Sequence, residues 1–411
     1  MRVEGRCLNR AVAPSRTIFV AGAGIGGLTV SLALAKKGFR VVVLEKAERL
    51  EETGAGLQLS PNASSVLIGL GLKERLGSRA VIPDAISIMS ARAGREIARL
   101  PLGEAACKRA GAPYWVVHRA DLQAALQGAV NDHPDVDLRL GCQFEDAAAH
   151  VKGLTIVQRS GNARHQEVAL ALIGADGIWS NVRHHLLPDP QPQFAGLIAW
   201  RGTLDTRQLP REYTAPRVQL WMGPGAHLVS YPISGARRIN VVAIVPGTWN
   251  RPGWSEPGDG IELKAIFDPA HWPGPARMLL GAVDVWRRWA LFTVSADREW
   301  TSGAIALLGD AAHAMLPFAG QGAAMAIEDA AVLADVMGES PLDTADQVAA
   351  AFKRYARQRQ ARVARVQRAA RRAGLVYHLA GPMALARDLT IKAMGPERML
   401  ARQRWIHEWR A

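Results

Sequence analysis

Short apolar runs separated by glycines open the chain. Thr17 to Ala21 is a strand-like run, GAGIGG follows at 22–27, Leu28 to Lys37 is apolar enough for a buried helix, and Arg40 to Leu44 is a second strand-like run. Gly38 stands where that helix should end, because glycine adopts the left-handed C-terminal cap conformation without steric cost. Strand, turn, helix and strand in this order predict a parallel βαβ unit, and hence a doubly wound α/β opening domain.

From Gln193 to Pro246 the pattern changes. Four β-rich runs, FAGLIAWRGTL, RVQLWMG, HLVSYPI and INVVAIVP, are broken by glycine and proline, as hairpin-joined antiparallel strands are. After about Leu291 the α/β signature returns in IALLGDAA and a small-residue helix, and the chain then reads as helical to its end. The predicted fold class is α/β, a discontinuous Rossmann-like nucleotide domain (16–80, 113–185 and 291–345) with an inserted antiparallel-sheet lobe (81–112 and 186–290). A flexible tail (1–15) precedes it and a helical C-terminal region (346–411) follows.

Composition narrows the class. With 411 residues, 49% hydrophobic and 21% charged, the chain reads as a globular protein and is neither disordered nor fibrous. Cys7, Cys107 and Cys142 lie far apart without a CxxC pair or histidines at zinc spacing, which argues against a disulfide framework and a metal site and favours a reducing cytoplasm. The glycines at 22–27 argue against a secretory leader over Ile18 to Ala35, and no run approaches the ~20 apolar residues of a membrane span. The net charge of +13 invites a nucleic-acid reading, but nine of the basic residues fall between Lys353 and Arg372 with no acid among them. That stretch sets Tyr355, Arg359, Arg362 and Val366 at helical spacings and reads as a solvated surface helix, with neither nucleic acid nor membrane insertion as its purpose.

Gly22, Gly24 and Gly27 form GxGxxG after a strand, and Glu45 ends the next strand. The first glycine allows the tight turn, the second the approach of a pyrophosphate, the third close helix packing, and the phosphates sit at the helix N-terminus. Glu45 suits the adenosine ribose hydroxyls and disfavours a 2′-phosphate. These residues alone leave NAD and FAD open.

Two further segments carry a resemblance. GADGIWSNVR (174–183) and GDAAHAMLPFAGQGA (309–323) resemble the Asp-Gly and second FAD motifs of the class A flavoprotein aromatic hydroxylases. GAGLQLSPN, VVHRADL, AWRG, AIEDAAVLAD and YHLAGPMALARD resemble the branch containing salicylate hydroxylase and 3-hydroxybenzoate 6-hydroxylase. The resemblance implies FAD as cofactor, with Gly22, Gly24, Ile25, Gly26, Gly27, Glu45, Lys46, Gly56, Leu57, Arg119, Asp176, Asp310, Gly320, Gln321, Gly322 and Ala323 around it. It further implies that NADH or NADPH binds transiently and reduces FAD, that O₂ forms a flavin hydroperoxide, and that the distal oxygen passes to an aromatic acid.

His227 and Tyr231 share parity on one strand, which puts them on one face with Cα atoms roughly 13 Å apart at ~3.3 Å per residue. Related hydroxylases carry a His and a Tyr at this spacing, and histidine is suited to deprotonating a phenol; a half-buried sheet histidine is the plainer alternative. Gln58, Arg201 and Gln321 are the substrate-binding candidates, Arg201 for a carboxylate. Trp249, Trp254, Trp272, Trp286 and Trp289 either wall an aromatic pocket or pack in a core. The expected activity is NAD(P)H-dependent hydroxylation of a small phenolic or N-heteroaromatic acid, with a homodimer as the candidate assembly. Epoxidation of a larger polyketide- or quinone-like substrate, and a FAD-dependent dehydrogenase, are the alternatives.

Overall fold

The computed structural model describes residues 16–50, 55–151, 153–187, 191–210, 213–251, 253–340 and 342–410. The expected tail, and Cys7 with it, lie outside them. The opening strand Thr17–Ala21 is central in a six-stranded sheet, flanked by Arg40–Glu45 and Ala171–Gly174 in parallel register and followed outward by Val136–Leu140 and Ile305–Leu307. Its central strands are largely apolar because both faces are covered: Ile18, Val20, Val41, Val43 and Leu172 are all fully buried. The helix Ile25–Lys36 crosses one face, and Gly26 lets it lie close, since a Cβ there would meet Leu308 Cδ2 at 2.7 Å and Ala326 Cβ at 3.3 Å. Ala326 belongs to the small-residue helix Gly322–Gly338.

The second lobe is built on an eight-stranded sheet, and all four runs read between Gln193 and Pro246 are its strands. Gln193–Asp205, Arg238–Pro246, Ala226–Ile233 and Arg217–Gly223 pair antiparallel in that order across the sheet. Ala85–Ser90 then joins Arg217–Gly223 in parallel, so the sheet is mixed at that one junction. Alternation divides its faces. One face packs Trp200, Val241, Ala243 and Leu228 against Trp272, Trp286 and Phe267 in a closed core; the other turns toward the nucleotide domain. Among the described tryptophans, Trp272 and Trp286 therefore pack, and Trp254 is 41% exposed.

The C-terminal region is helical, Ala345–Tyr377 followed by Gly381–His407. The basic run differs from the solvated helix expected. Tyr355, Arg359 and Val366 face inward and are buried, and Arg359 donates to Glu328 and Asp329 at 2.7 Å each. Arg362 donates to the same Glu328. The reason is a pair of buried acids on the preceding helix, which need cations where an isolated reading of the basic run sees only solvent. The other basic positions of the run are exposed or partly exposed. No helix among the described residues is long and apolar enough to cross a membrane.

Candidate active site

The glycine turn closes on itself. Gly22 takes φ +100° and its N–H donates to the Leu44 carbonyl at 2.7 Å, while a Cβ on Gly27 would lie 1.9 Å from the Gly22 carbonyl oxygen. Only glycine fits there. The Glu45 carboxylate accepts from the N–H groups of Ala23 (2.9 Å) and Ala47 (3.0 Å), so the acid that ends the second strand also holds the turn.

Two cavities meet at this turn. The outer one, about 230 Å³, is lined by Gly22, Gly24, Glu45, Lys46 and Asp176; the inner one, about 280 Å³, by Gly24, Ile25, Gly26, Gly56, Leu57, Gln58, Arg119, Asp310, Gly320, Gly322 and Ala323. Gly24, Ala175 and Gly177 line both, so the two form one path from Glu45 past the helix N-terminus to the second lobe. Asp176 Oδ2 accepts from the N–H groups of Asn181 (2.8 Å) and Val182 (3.2 Å), while its buried Oδ1 has no partner, and burial pushes its carboxyl up. Arg183, which follows, donates to the Ala311 carbonyl at 2.8 Å and ties the Asp-Gly segment to the segment containing Asp310.

The far wall of the inner cavity is the inward face of the large sheet. Arg201 is the cross-strand partner of Val242, and Val242 of Val229; Ile244 pairs with His227 and Asn240 with Tyr231. Matching parity on three neighbouring strands puts Arg201, His227, Val229, Tyr231, Val242 and Ile244 on the cavity. The Arg201 side chain is partly buried, lies over the Trp289 ring at 5.5 Å, and leaves its buried Nε without a partner; burial lowers its pKa, against Tyr231, which raises it, and Arg119 lowers it further. Burial pushes the Tyr231 hydroxyl well above its ordinary range.

His227 is 2% exposed and sits in a box of Phe318, Tyr377 and His378. Its Nδ1 is 2.8 Å from His378 Nε2. Burial, and then the neighbouring ring, hold His227 well below its ordinary value, and burial takes His378 to about 4. Sequence reasoning passed over His378, whose only signal was a histidine closing a helix in YHLAGP. It likewise missed Tyr114, which donates to Gln58 Oε1 at 2.7 Å, and Asn240, which accepts from Gly56 N–H at 2.7 Å.

Gln321 lies apart from these. Its side chain is buried, donates to Ser60 Oγ at 2.9 Å and accepts from Asn62 Nδ2 at 3.1 Å, so its amide is spent inside the protein and its backbone begins the helix Gly322–Gly338. Asn62 also donates to Glu328 at 2.6 Å, the same acid that Arg362 holds, and Arg362 reaches the carbonyls of Trp405 and Ile406. His313 is structural: it is buried and bonded to Asp329 at 2.6 Å.

The path fits a flavin adenine dinucleotide. Glycine cradles a Cβ would fill, helix N-termini at Gly24 and Gln321, and an enclosed end with unpartnered polar atoms are what such a cofactor requires. Comparison with known proteins agrees. Residues 15–370 match the family model described as FAD binding domain. The chain is 35% identical over 395 residues to the 3-hydroxybenzoate 6-hydroxylase of Klebsiella oxytoca, covering 95% of this chain and 96% of that protein. It is 33% identical over 357 residues to the 6-hydroxynicotinate 3-monooxygenase of Bordetella bronchiseptica, covering 85% and 89%. Among solved structures it resembles a salicylate hydroxylase substrate complex, with a TM-score of 0.79, 26% identity and coverage of 97% and 96%. A glycine turn, an Asp-Gly segment and a second FAD segment converging on one path, in a chain matched over most of its length by such relatives, identify it as a member of the FAD-binding-domain family and, within it, of the FAD- and NAD(P)H-dependent flavoprotein monooxygenases.

Proposed function

We propose that this monooxygenase hydroxylates a small phenolic or N-heteroaromatic carboxylic acid in the cytoplasm, with Arg201, His227 and Tyr231 as its substrate-handling groups. The observation that carries the reading is the Arg201 guanidinium, partly buried beside the cavity with Nε unpartnered and on the same sheet face as His227 and Tyr231. A partly buried cation without a carboxylate calls for an anionic ligand, because an unpaired buried charge is costly. Relatives named for 3-hydroxybenzoate, 6-hydroxynicotinate and salicylate supply the ligand chemistry. A large uncharged polyketide would leave this cation unanswered.

Bound FAD, reduced by NAD(P)H, supplies the activation of O₂. Gly22, Gly24, Gly26 and Gly27 with Glu45 and Lys46 would hold its nucleotide half. Asp176, on the outer cavity with Glu45 and Lys46, would flank that half, and Gly56, Leu57, Arg119, Asp310 and the backbone from Gly320 to Ala323 would hold the ribityl and ring end. The chain's remaining work is done by side chains. Arg201 takes the substrate carboxylate, with Arg119 adding positive field from the cofactor side. Tyr231 stays protonated at any working pH and so donates a hydrogen bond. Val229, Val242, Ile244 and Met315 wall the ring and keep water from it. His227, neutral through burial, is free to accept the phenol proton, which makes the ring a better nucleophile.

The test is a substrate screen. Wild-type enzyme is given 3-hydroxybenzoate, salicylate, 6-hydroxynicotinate and the matching compounds without the carboxyl group, and NADH oxidation, hydroxylated product and H₂O₂ are quantified. At least one acid should give coupled product while its decarboxylated analogue does not. Arg201→Gln should raise KM for that acid by on the order of 10–100-fold, the value of a charged hydrogen bond. Equal turnover of acid and decarboxylated analogue would sink the assignment.

A further inference from the structure

We propose that His378 is the second station of a proton relay beginning at His227, which carries a bound phenol's proton from the closed pocket to solvent at the junction of the two C-terminal helices. The inference rests on the phenolic reading above. Apart from the cavity that would hold substrate and cofactor, His227 meets only neighbouring side chains, being 2% exposed and set against Phe318 and Tyr377, whereas His378 is partly exposed. The Nδ1–Nε2 contact of 2.8 Å is a hydrogen bond in which one ring must donate and the other accept. Only one arrangement leaves His227 able to act: Nδ1–H donating to His378 Nε2, with the lone pair of His227 Nε2 free to meet the substrate.

Proton transfer then follows bond by bond. The phenolic O–H bond breaks as His227 Nε2 takes the proton, the His227 Nδ1–H proton crosses to His378 Nε2, and His378, briefly an imidazolium, gives its Nδ1 proton to water. Return of a proton to the product oxygen runs each transfer backwards and restores both tautomers. No electrons are exchanged.

The pair is held from both sides. Gly225 N–H donates to the His378 carbonyl at 3.0 Å, which pins the helix junction to the turn just before His227, and Tyr377 hydroxyl donates to the Phe318 carbonyl at 3.3 Å. Of the ionisable groups around it, Tyr377 is neutral, with its pKa pushed up to about 12. Arg387 binds the carbonyls of Val376 and Tyr377 and is matched by Asp388 at 2.8 Å. Among the described residues neither ring is paired with a carboxylate, so water is the relay's terminus.

The test reads proton release when the holoenzyme binds 3-hydroxybenzoate, by stopped flow with an indicator dye in weak buffer. His378→Gln keeps a hydrogen-bonding amide but cannot pass a proton; it should slow release by about tenfold or more while binding and FAD content stay near wild type. Imidazole should restore the rate in His378→Ala. Equal rates in wild type and His378→Gln, with His227→Ala slow, would overturn the relay alone. Wild type that neither releases a proton nor forms product with any phenolic acid of the screen would instead overturn the reading beneath it. Should both variants lose FAD, the ¹⁵N-histidine spectrum of the wild-type holoenzyme decides: His227 protonated at Nδ1 supports the relay, and the opposite tautomer refutes it.

Discussion

Gly56 has no side chain for a reason that lies two strands into the other lobe. A Cβ there would come within 2.5 Å of Tyr231 Cε2 and 2.9 Å of Asn240 Cγ, so the strand beside the cofactor path touches the substrate wall directly. Gly56→Ala must therefore displace Tyr231, at about 1–3 kcal/mol of overpacking. The expected result is a yellow enzyme with raised KM and a larger share of NADH lost to H₂O₂; unchanged coupling would show that Tyr231 does not position substrate. Residues of this kind divide by range. The glycine turn and Glu45 were legible because their spacing is local, and His227 with Tyr231 because parity on one strand is local too. His378 and Asn240 were not, since each meets its partner through pairings formed 151 and 184 residues apart.

Helices and strands were read more fully than their surroundings. The four central strands of the large sheet and the opening βαβ unit stood out by period, but the parallel junction of Ala85–Ser90 with Arg217–Gly223 did not, because register leaves no mark in one strand alone. The helix Ala345–Tyr377 shows the same limit: its inward face was visible as a spacing, while the acids that make Arg359 an internal residue lie on another helix. Removing one member of a buried ion pair strands the others. Arg359→Ala should cost about 3–5 kcal/mol and lower the melting temperature, whereas the exposed Arg371→Ala should stay within ~0.5 kcal/mol. Equal melting curves for the two would refute the network's structural weight.

At the scale of the whole molecule, burial or partial burial holds three of the described histidines in neutral form. His378 and His407 titrate at about 4 and His227 lies well below its ordinary value, all because burial disfavours the charged ring. Their folded pKa values are below the unfolded value of about 6.5, so the unfolded chain binds protons first as pH falls. Stability should then decline from pH 6.5 toward 4, by up to about 1.4 kcal/mol per pH unit for each group. Melting temperatures recorded between pH 8 and 5 should be flat above 7 and fall below 6.5; a flat profile throughout would contradict the burial of these rings.

The grip of Arg362 on the Trp405 and Ile406 carbonyls has a practical side. Through Glu328, Asn62 and Gln321 the last turn of the chain is fastened to the bend on which the flavin ring would rest. Loss of that grip, as in Arg362→Ala, should therefore loosen the seat and lower the FAD content of the purified protein, read from its visible absorbance.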